Sequence, residues 1–310
     1  MKLRNLVFSG CGIRVIGHVG FLKAISESFD IEEINTFCGS SAGAFIALCM
    51  VLNYSIEEIR ELLIHLDYLK MADIKVDNVF NYFTNFGLDD GTKIDKLVKL
   101  ILEKKTNKSE LTFEELFSLT KKKLIICVTN VTKECVEYIS HITHPDFSVN
   151  CVLRMSGSIP FYFTPVYYRD NIFIDGGVTD NFPIQLFDED DTLGMYLKLT
   201  GNQNIKIDNI LLYNLSIVNT ILRNNETEKL ELYKNNTIIV ENDQHATEFK
   251  ISKEDRIDIF NLAYDKTKEF INLKLSKLKE SQSNINNNDN ESDISIGIKG
   301  TEEENTEGDE

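Results

Sequence analysis

Apolar residues along this chain fall into two kinds of run. Residues 5–9, 34–38 and 124–129 are short, nearly unbroken and rich in β-branched, aromatic and leucine side chains, the pattern of strands buried on both faces. Residues 17–28 and 44–52 are longer and apolar almost all round, which predicts buried helices. Residues 55–69 and 93–105 mix apolar and charged positions at helical spacing and predict amphipathic helices. Thr112 with Glu115 has the capping-box pattern that opens a short helix. Strands alternating with helices predict an α/β fold.

The junction between strand 34–38 and helix 44–52 reads Gly39-Ser40-Ser41-Ala42-Gly43, a G-x-S-x-G pentapeptide. A chain that turns from strand to helix within a few residues holds its central residue in strained backbone, and Gly39 and Gly43 let it pass close to itself. That would hold the Ser41 hydroxyl out at the end of the sheet, before a helix N-terminus that favours negative charge. Taken alone, the pentapeptide fits a small-residue turn as well as a nucleophile. A second loop, Gly10-Cys11-Gly12-Ile13-Arg14, lies between strand 5–9 and helix 17–28. A dinucleotide loop would want glycine where Val15 stands, and a phosphate loop would want Lys-Ser or Lys-Thr at His18-Val19. What remains is a run of backbone N–H groups able to hold an anion, one βα unit from Ser41 and placed to supply an oxyanion hole.

Three of the four prolines, Pro160, Pro165 and Pro183, fall in one segment that also holds Phe173-Ile174-Asp175-Gly176-Gly177. Asp175 closes a short apolar strand and opens a glycine turn. Asp-Gly is a common turn pair; beside Ser41, the same carboxylate could take the hydroxyl proton during nucleophilic attack. A Ser-acid-His triad would place a histidine after the acid. Only His245 qualifies, and its polar surroundings, 241–244, read as surface. His18 reads as a local packing or capping residue, and His65, His141 and His144 have no metal-ligand spacing.

Together these segments resemble the patatin-like phospholipase family over residues 5 to about 275. The resemblance is carried by the loop from Gly10 to Arg14, the Ser41 pentapeptide, the Arg-x-Ser-x-Ser-Ile-Pro-x-x-Phe-x-Pro pattern from Arg154 to Pro165, Asp175-Gly176-Gly177, and Asn181-x-Pro183. Phe249-x-Ile251-Ser252 before a helix with Ala263-Tyr264 resembles the family's closing strand and helix. It implies a three-layer α/β/α fold with a mostly parallel central sheet, occupying residues 1–280. It implies a Ser-Asp dyad, with Ser41 as nucleophile and Asp175 as general base, and no metal or other cofactor. Backbone N–H groups of Gly10, Cys11, Gly12 and Ile13, in the loop that Arg14 closes, would hold the oxyanion. Gly39, Gly43, Gly176 and Gly177 support the two motifs. The implied activity is a phospholipase A-type lipid acyl hydrolysis of glycerophospholipid esters through an acyl-serine. Triacylglycerol lipase or general esterase activity is the neighbouring alternative. A lipid-binding or interaction protein of the same fold, with weak catalysis, is the alternative from another class. It draws on Val15, which replaces a family glycine where a β-branched residue would resist a positive φ. Cys11 also replaces a usual glycine, harmlessly if only its N–H is used.

Charge narrows the partners. A net charge of -16 argues against nucleic acid and against electrostatic docking on anionic membranes. Contact with a membrane surface would therefore be apolar, weak and transient. Aromatic clusters at Phe161, Tyr162, Phe163, Tyr167 and Tyr168, and at Phe80, Tyr82, Phe83 and Phe86, could line an acyl groove, meet lipid or belong to the core. From residue 281 onward nine acidic residues face Lys299 alone, beside an asparagine run at 286–288. That composition predicts a disordered tail over 281–310, with a protein partner bound through it as the minority alternative. The six cysteines form no C-x-x-C pair and read as buried reduced thiols, and residues 1–5 lack the apolar core of a signal peptide. The expectation is a cytoplasmic protein, peripheral on membranes and not secreted. The charge-free run 34–56 approaches membrane-spanning length, but Asn35, Gly39, Ser40, Ser41 and Gly43 in its first half suit a strand and helix better.

Overall fold

Strand β1 (Asn5–Phe8) leads through a 3-10 turn (Gly12–Val15) into helix α1 (Ile16–Ser26) and returns as β2 (Thr36–Ser40), parallel to β1. Helices α2 (Ala42–Val51), α3 (Ile56–His65), α4 (Tyr68–Met71), α5 (Thr92–Thr106) and α6 (Phe113–Thr120) precede β3 (Lys123–Asn130), parallel to β2. Next come β4 (Cys135–Ile139), α7 (Val149–Ser156), a hairpin of β5 (Val166–Tyr168) and β6 (Asn171–Asp175), and the short α8 (Gly177–Asp180). The chain then returns as β7 (Thr192–Leu199) on the free side of β1, followed by α9 (Ile210–Leu232), β8 (Thr237–Asn242) and α10 (Lys253–Ile296). The sheet order is β5-β6-β3-β2-β1-β7-β8, with β4 paired to β3. This computed structural model describes residues 2–71, 82, 84–199, 207–242 and 251–296, with the backbone alone at 199, 223–225 and 278–296.

The expected parallel centre is present: β3, β2, β1, β7 and β8 run the same way, as does β5 at the edge, and among the described strands β4 and β6 oppose them. Alternation across the pleat assigns the two faces. Val7, Cys38 and Ile125 share a row and pack beneath Phe182, Ile184 and Tyr196, with Leu230 and Tyr233 at the edge of the cluster. Phe8 points the other way and meets Phe21 of α1 edge-on at 6.0 Å. The sheet is thus sandwiched, and each fully buried Phe or Ile in these layers contributes roughly 1.5–3 kcal/mol. The chain moves from β1 outward through β2 and β3, then comes back to β7 on the opposite side. That reversal opens a crevice at the carboxyl end of β1, the usual place for a ligand in an open α/β sheet.

Several boundaries differ from those predicted. The amphipathic pattern over 55–69 holds one helix only as far as His65; Leu66 is extended, with φ -63° and ψ 127°. The cause is remote: the Arg256 guanidinium, buried at 7% exposure, donates to the carbonyls of Leu63, Ile64 and Leu66 at 3.2, 2.7 and 2.9 Å and ends the helix there. Among the described residues the last strand is β8. Ile251 and Ser252 instead precede α10, where Ser252 and Asp255 cap each other's backbone, and Phe249 lies outside the described residues.

The chain divides into two units, 1–268 and 269–310. The backbone of α10 stays helical to Ile296, into the stretch predicted as a disordered tail, and 297–310 lie outside the described residues. A helix satisfies its own backbone, so a polar, asparagine-rich segment can continue one without a core to join. Among the described residues no helix is long and apolar enough to cross a membrane.

At Gly43, α2 passes over the end of β1, where a Cβ would lie 2.4 Å from the Phe8 carbonyl oxygen and 2.6 Å from that of Ser9. Both are backbone atoms that cannot swing aside. Gly43→Ala should therefore destabilise the fold by about 2–3 kcal/mol, read as a lowered midpoint of thermal unfolding.

Candidate active site

The register of β3 brings the two expected residues together. Strand β2 pairs with Lys123–Cys127 and ends with Ser40 opposite Cys127. Strand β6, running the opposite way, pairs with Val128–Asn130 and ends with Asp175 opposite Val128. Strand β4 pairs with Ile126–Asn130 and so overlaps both partners, which places β2 and β6 on the other edge of β3. Two strands thus meet end to end along one edge, and their last residues sit on consecutive positions of β3. The chain leaves each strand into a helix at that point, α2 after Ser41 and α8 after Gly176.

Ser41 occupies a backbone conformation that L-residues rarely adopt, with φ 51° and ψ -124°. Such strain costs roughly 1–3 kcal/mol and persists only where the surroundings impose it. The imposing contacts are visible. A Cβ on Gly39 would lie 2.5 Å from the Gly43 carbonyl carbon, so the turn closes on itself. The Ser41 N–H donates to Ser156 Oγ at 2.8 Å, and that hydroxyl donates onward to the Cys127 carbonyl at 2.7 Å. Ser156 therefore ties the elbow to β3.

Asp175 is buried at 5% exposure, with Oδ1 accepting the Gly177 N–H at 2.8 Å and its backbone held by Ser158 and Thr129. Burial pushes its carboxyl up to about 7; the Ser41 hydroxyl beside it and the Gly177 N–H pull the other way without cancelling that effect. Oδ2 has no hydrogen-bond partner among the described residues. A carboxylate poised near neutrality, facing a hydroxyl, is suited to accept a proton.

The loop after β1 completes the arrangement, with two corrections. The Gly10 N–H donates to the Asn181 carbonyl at 3.1 Å, and the Arg14 N–H donates to the Cys11 carbonyl at 3.3 Å. Neither is available to an anion, so Gly10 anchors the loop instead of lining it with a donor. The N–H groups of Cys11, Gly12 and Ile13 donate to no described residue. The loop's positive φ, 55°, falls on Gly12. Val15 has φ -50° and ψ -27° in ordinary helical backbone, so its β-branch imposes no strain. Burial pushes the Cys11 thiol up to about 12 against the pull of Arg14, which leaves a neutral side chain there. His18 packs beneath the loop: its Nε2 lies 2.8 Å from the Ser9 carbonyl oxygen, and burial lowers its pKa to about 4, so it is neutral.

Asn181 clasps Gly10 from both sides, accepting its N–H and donating Nδ2 to its carbonyl at 3.1 Å. Its own N–H is held by Glu226 Oε1 at 3.0 Å. Glu226 is 1% exposed, burial raises its pKa, and Lys229 binds both it and Asp180. Helix α9 is thereby locked to the turn that follows Asp175. Sequence reasoning noted Asn181 only as a family position and passed over Glu226 and Lys229, which look like ordinary polar helix residues until the fold buries them.

Ser41, Asp175 and the loop residues Gly10, Cys11, Gly12 and Arg14 line one cleft, together with Val218 and Leu222 of α9. A second, apolar cavity also reaches Ser41, between Ile13, Val15, Phe45, Leu63, Val98 and Phe163. Of the aromatic clusters, Tyr162 and Phe163 are buried, while Tyr167 and Phe86 are exposed; Phe80, Phe83 and His245 lie outside the described residues.

A family model of patatin-like phospholipases matches residues 6–188, from β1 past the Asp175 turn. The chain belongs to that family. This patatin-like chain is 33% identical over 224 residues to the mimivirus protein R571 of Acanthamoeba polyphaga mimivirus, covering 70% of this chain and 72% of that one. It is 32% identical over 185 residues to a probable lipid hydrolase, 463L, of invertebrate iridescent virus 6, covering 59% of this chain and 62% of the other. Its fold matches VipD from Legionella pneumophila with a TM-score of 0.60 at 20% identity, over 88% of this chain and 67% of that one. The patatin-like domain is a lipid hydrolase fold whose motifs converge on one cleft.

The raised pKa of Asp175 has a stability consequence. Its native pKa, about 7, lies above the unfolded value of ~3.9, so the native state loses stability as pH climbs between the two values and stays at that lower level above the upper one. The penalty is at most on the order of 4 kcal/mol. Asp175→Asn should therefore melt higher than the parent protein under alkaline conditions, with the difference vanishing as pH falls below the unfolded value; melting curves across pH check this.

Proposed function

We propose that this chain is a phospholipase A-type acyl hydrolase that uses Ser41 as nucleophile and Asp175 as general base. The observation that carries the reading is the end-to-end meeting of β2 and β6 on β3, which faces a strained serine with a carboxyl held near neutrality. Ser41 Oγ attacks the ester carbonyl carbon while its proton passes to the Asp175 carboxylate. The oxyanion is held by the N–H groups of Cys11, Gly12 and Ile13. Collapse breaks the ester C–O bond, and the leaving alcohol, a lysolipid, takes the proton from Asp175. Water then attacks the acyl-serine, again losing a proton to Asp175, and fatty acid departs as Ser41 recovers its hydrogen. The apolar cavity beside Ser41 suits the acyl chain, and the more polar cleft that holds Asp175 suits the glycerol and headgroup. Every role is filled by a side chain or backbone N–H, which favours a metal-independent reaction. The rival reading of a catalytically weak lipid-binding protein drew on Val15, and that residue sits in unstrained helical backbone.

The test is fatty acid release from phosphatidylcholine vesicles with calcium chelated. Ser41→Ala and Asp175→Asn should each lower the rate about a thousandfold or more, and the parent rate should rise with pH through about 7 as Asp175 loses its proton. Release that survives either substitution, or that requires calcium, would remove the dyad. Activity confined to triacylglycerols or short esters would favour the neighbouring lipase or esterase reading, and inertness on all three would favour lipid binding alone.

A further inference from the structure

Helix α9 has two apolar faces, and among the described residues only one of them is packed against the rest of the chain. From Ile210 to Leu222 it carries no charged residue, in a chain whose net charge is -16. Its inward face buries Leu215 and Val218, which line the Ser41 cleft together with Leu222. Its outward face exposes Ile210 at 62%, Tyr213 at 52%, Ile217 at 43% and Ile221 at 43%. Those positions recur every three or four residues and form one continuous stripe. A surface helix of a soluble protein ordinarily places charged residues there. Charge returns at Arg223, and from Glu226 and Lys229 onward the helix is pinned to the turn after Asp175.

We infer that this stripe is the surface by which the protein docks on an uncharged, zwitterionic phospholipid bilayer. The inference rests on the lipid hydrolase reading. Two features favour a bilayer over another covering. First, the helix that bears the stripe also walls the cleft. A bilayer against its outer face would lie about one helix diameter, ~10–12 Å, from the cleft lining, so lipid need travel only a short way from its leaflet to the serine. Second, the stripe has no charge with which to recruit a charged partner, and the acidic chain is repelled by anionic lipid. What it offers is apolar area with a tyrosine at its edge, which suits the boundary between headgroups and acyl chains. The helix acts at once as cleft wall and membrane contact, which couples binding at the surface to access at the site.

The test uses the full chain carrying Ser41→Ala, so that vesicles are not consumed, in co-sedimentation with phosphatidylcholine vesicles. Ile217→Ser with Ile221→Ser, and separately Ile210→Ser with Tyr213→Ser, should each weaken vesicle binding about tenfold or more. Leu119→Ser with Ile142→Ser, which removes two exposed apolar side chains outside α9, should leave binding unchanged. Replacing part of the phosphatidylcholine by phosphatidylserine should weaken it. In the protein with Ser41 intact, the stripe substitutions should leave hydrolysis of a soluble short-chain ester unchanged while release from vesicles falls. Thermal melting of every variant establishes that it is folded. The docking surface is overturned if stripe and parent proteins bind vesicles equally, if neither binds, or if the stripe substitutions instead dissociate a dimer seen by sedimentation velocity. Loss of all ester hydrolysis by the Ser41-intact protein, with stripe-dependent vesicle binding preserved, would overturn the hydrolase reading and leave the docking surface standing.

Discussion

The structure depends on the pairing of β3 with two strands along one edge. Strand β2 uses the first part of that edge and β6 the last, so the hydrogen-bond ladder of a single buried strand fixes the distance between the ends of both. Because β3 is buried from Leu124 onward, its register cannot slip by one residue without turning apolar side chains the wrong way. The positions of Ser41 and Asp175 therefore inherit the rigidity of the sheet. No flexible loop has to be ordered to bring them together.

That rigidity has costs that appear at both residues. Ser41 is held at a positive φ, and Asp175 is buried without a full set of partners, so burial raises its pKa. Both features oppose stability, and each matches what the proposed chemistry needs: a hydroxyl held out of the turn and a base that changes charge near neutrality. The surrounding bonds are the compensation. Ser156 bridges the elbow to β3, Arg154 joins the Asp90 and Thr164 carbonyls and Ser158 beneath the Asp175 strand, and Asn181 ties the loop of Gly10 to the turn that follows Asp175. These residues touch no reacting group. They determine whether the groups that do are held at usable geometry.

Helix α9 extends the same logic outward. Its C-terminal half is joined to the site by a buried cluster of two acids and one lysine, in which each acid leans on the same ammonium. Its N-terminal half is uncharged and places apolar residues both inward and outward. Anchored at one end by charge and exposing an uncharged apolar stripe at the other, α9 would link the proposed lipid surface to the buried cleft.

Much of the fold was legible in the chain itself, because its signals are local. Unbroken apolar runs around Val7, Phe37 and Ile125 mark strands covered on both faces, and Thr112 with Glu115 forms the capping box its spacing predicts. Gly43 announces close approach, and the two motifs around Ser41 and Asp175 follow from turn chemistry that a few adjacent residues encode. What the sequence could not decide involves partners far apart in the chain. Arg256 stops α3 across nearly two hundred positions, Glu226 reaches Asn181, and Asn181 takes the Gly10 N–H that would otherwise have counted as an anion donor. Val15 looked unsuited to its loop because its backbone angles are set by the turn as a whole. Period and turn type are written in neighbouring residues, whereas which donor is spent and which remains free depends on contacts that exist only after the sheet has formed.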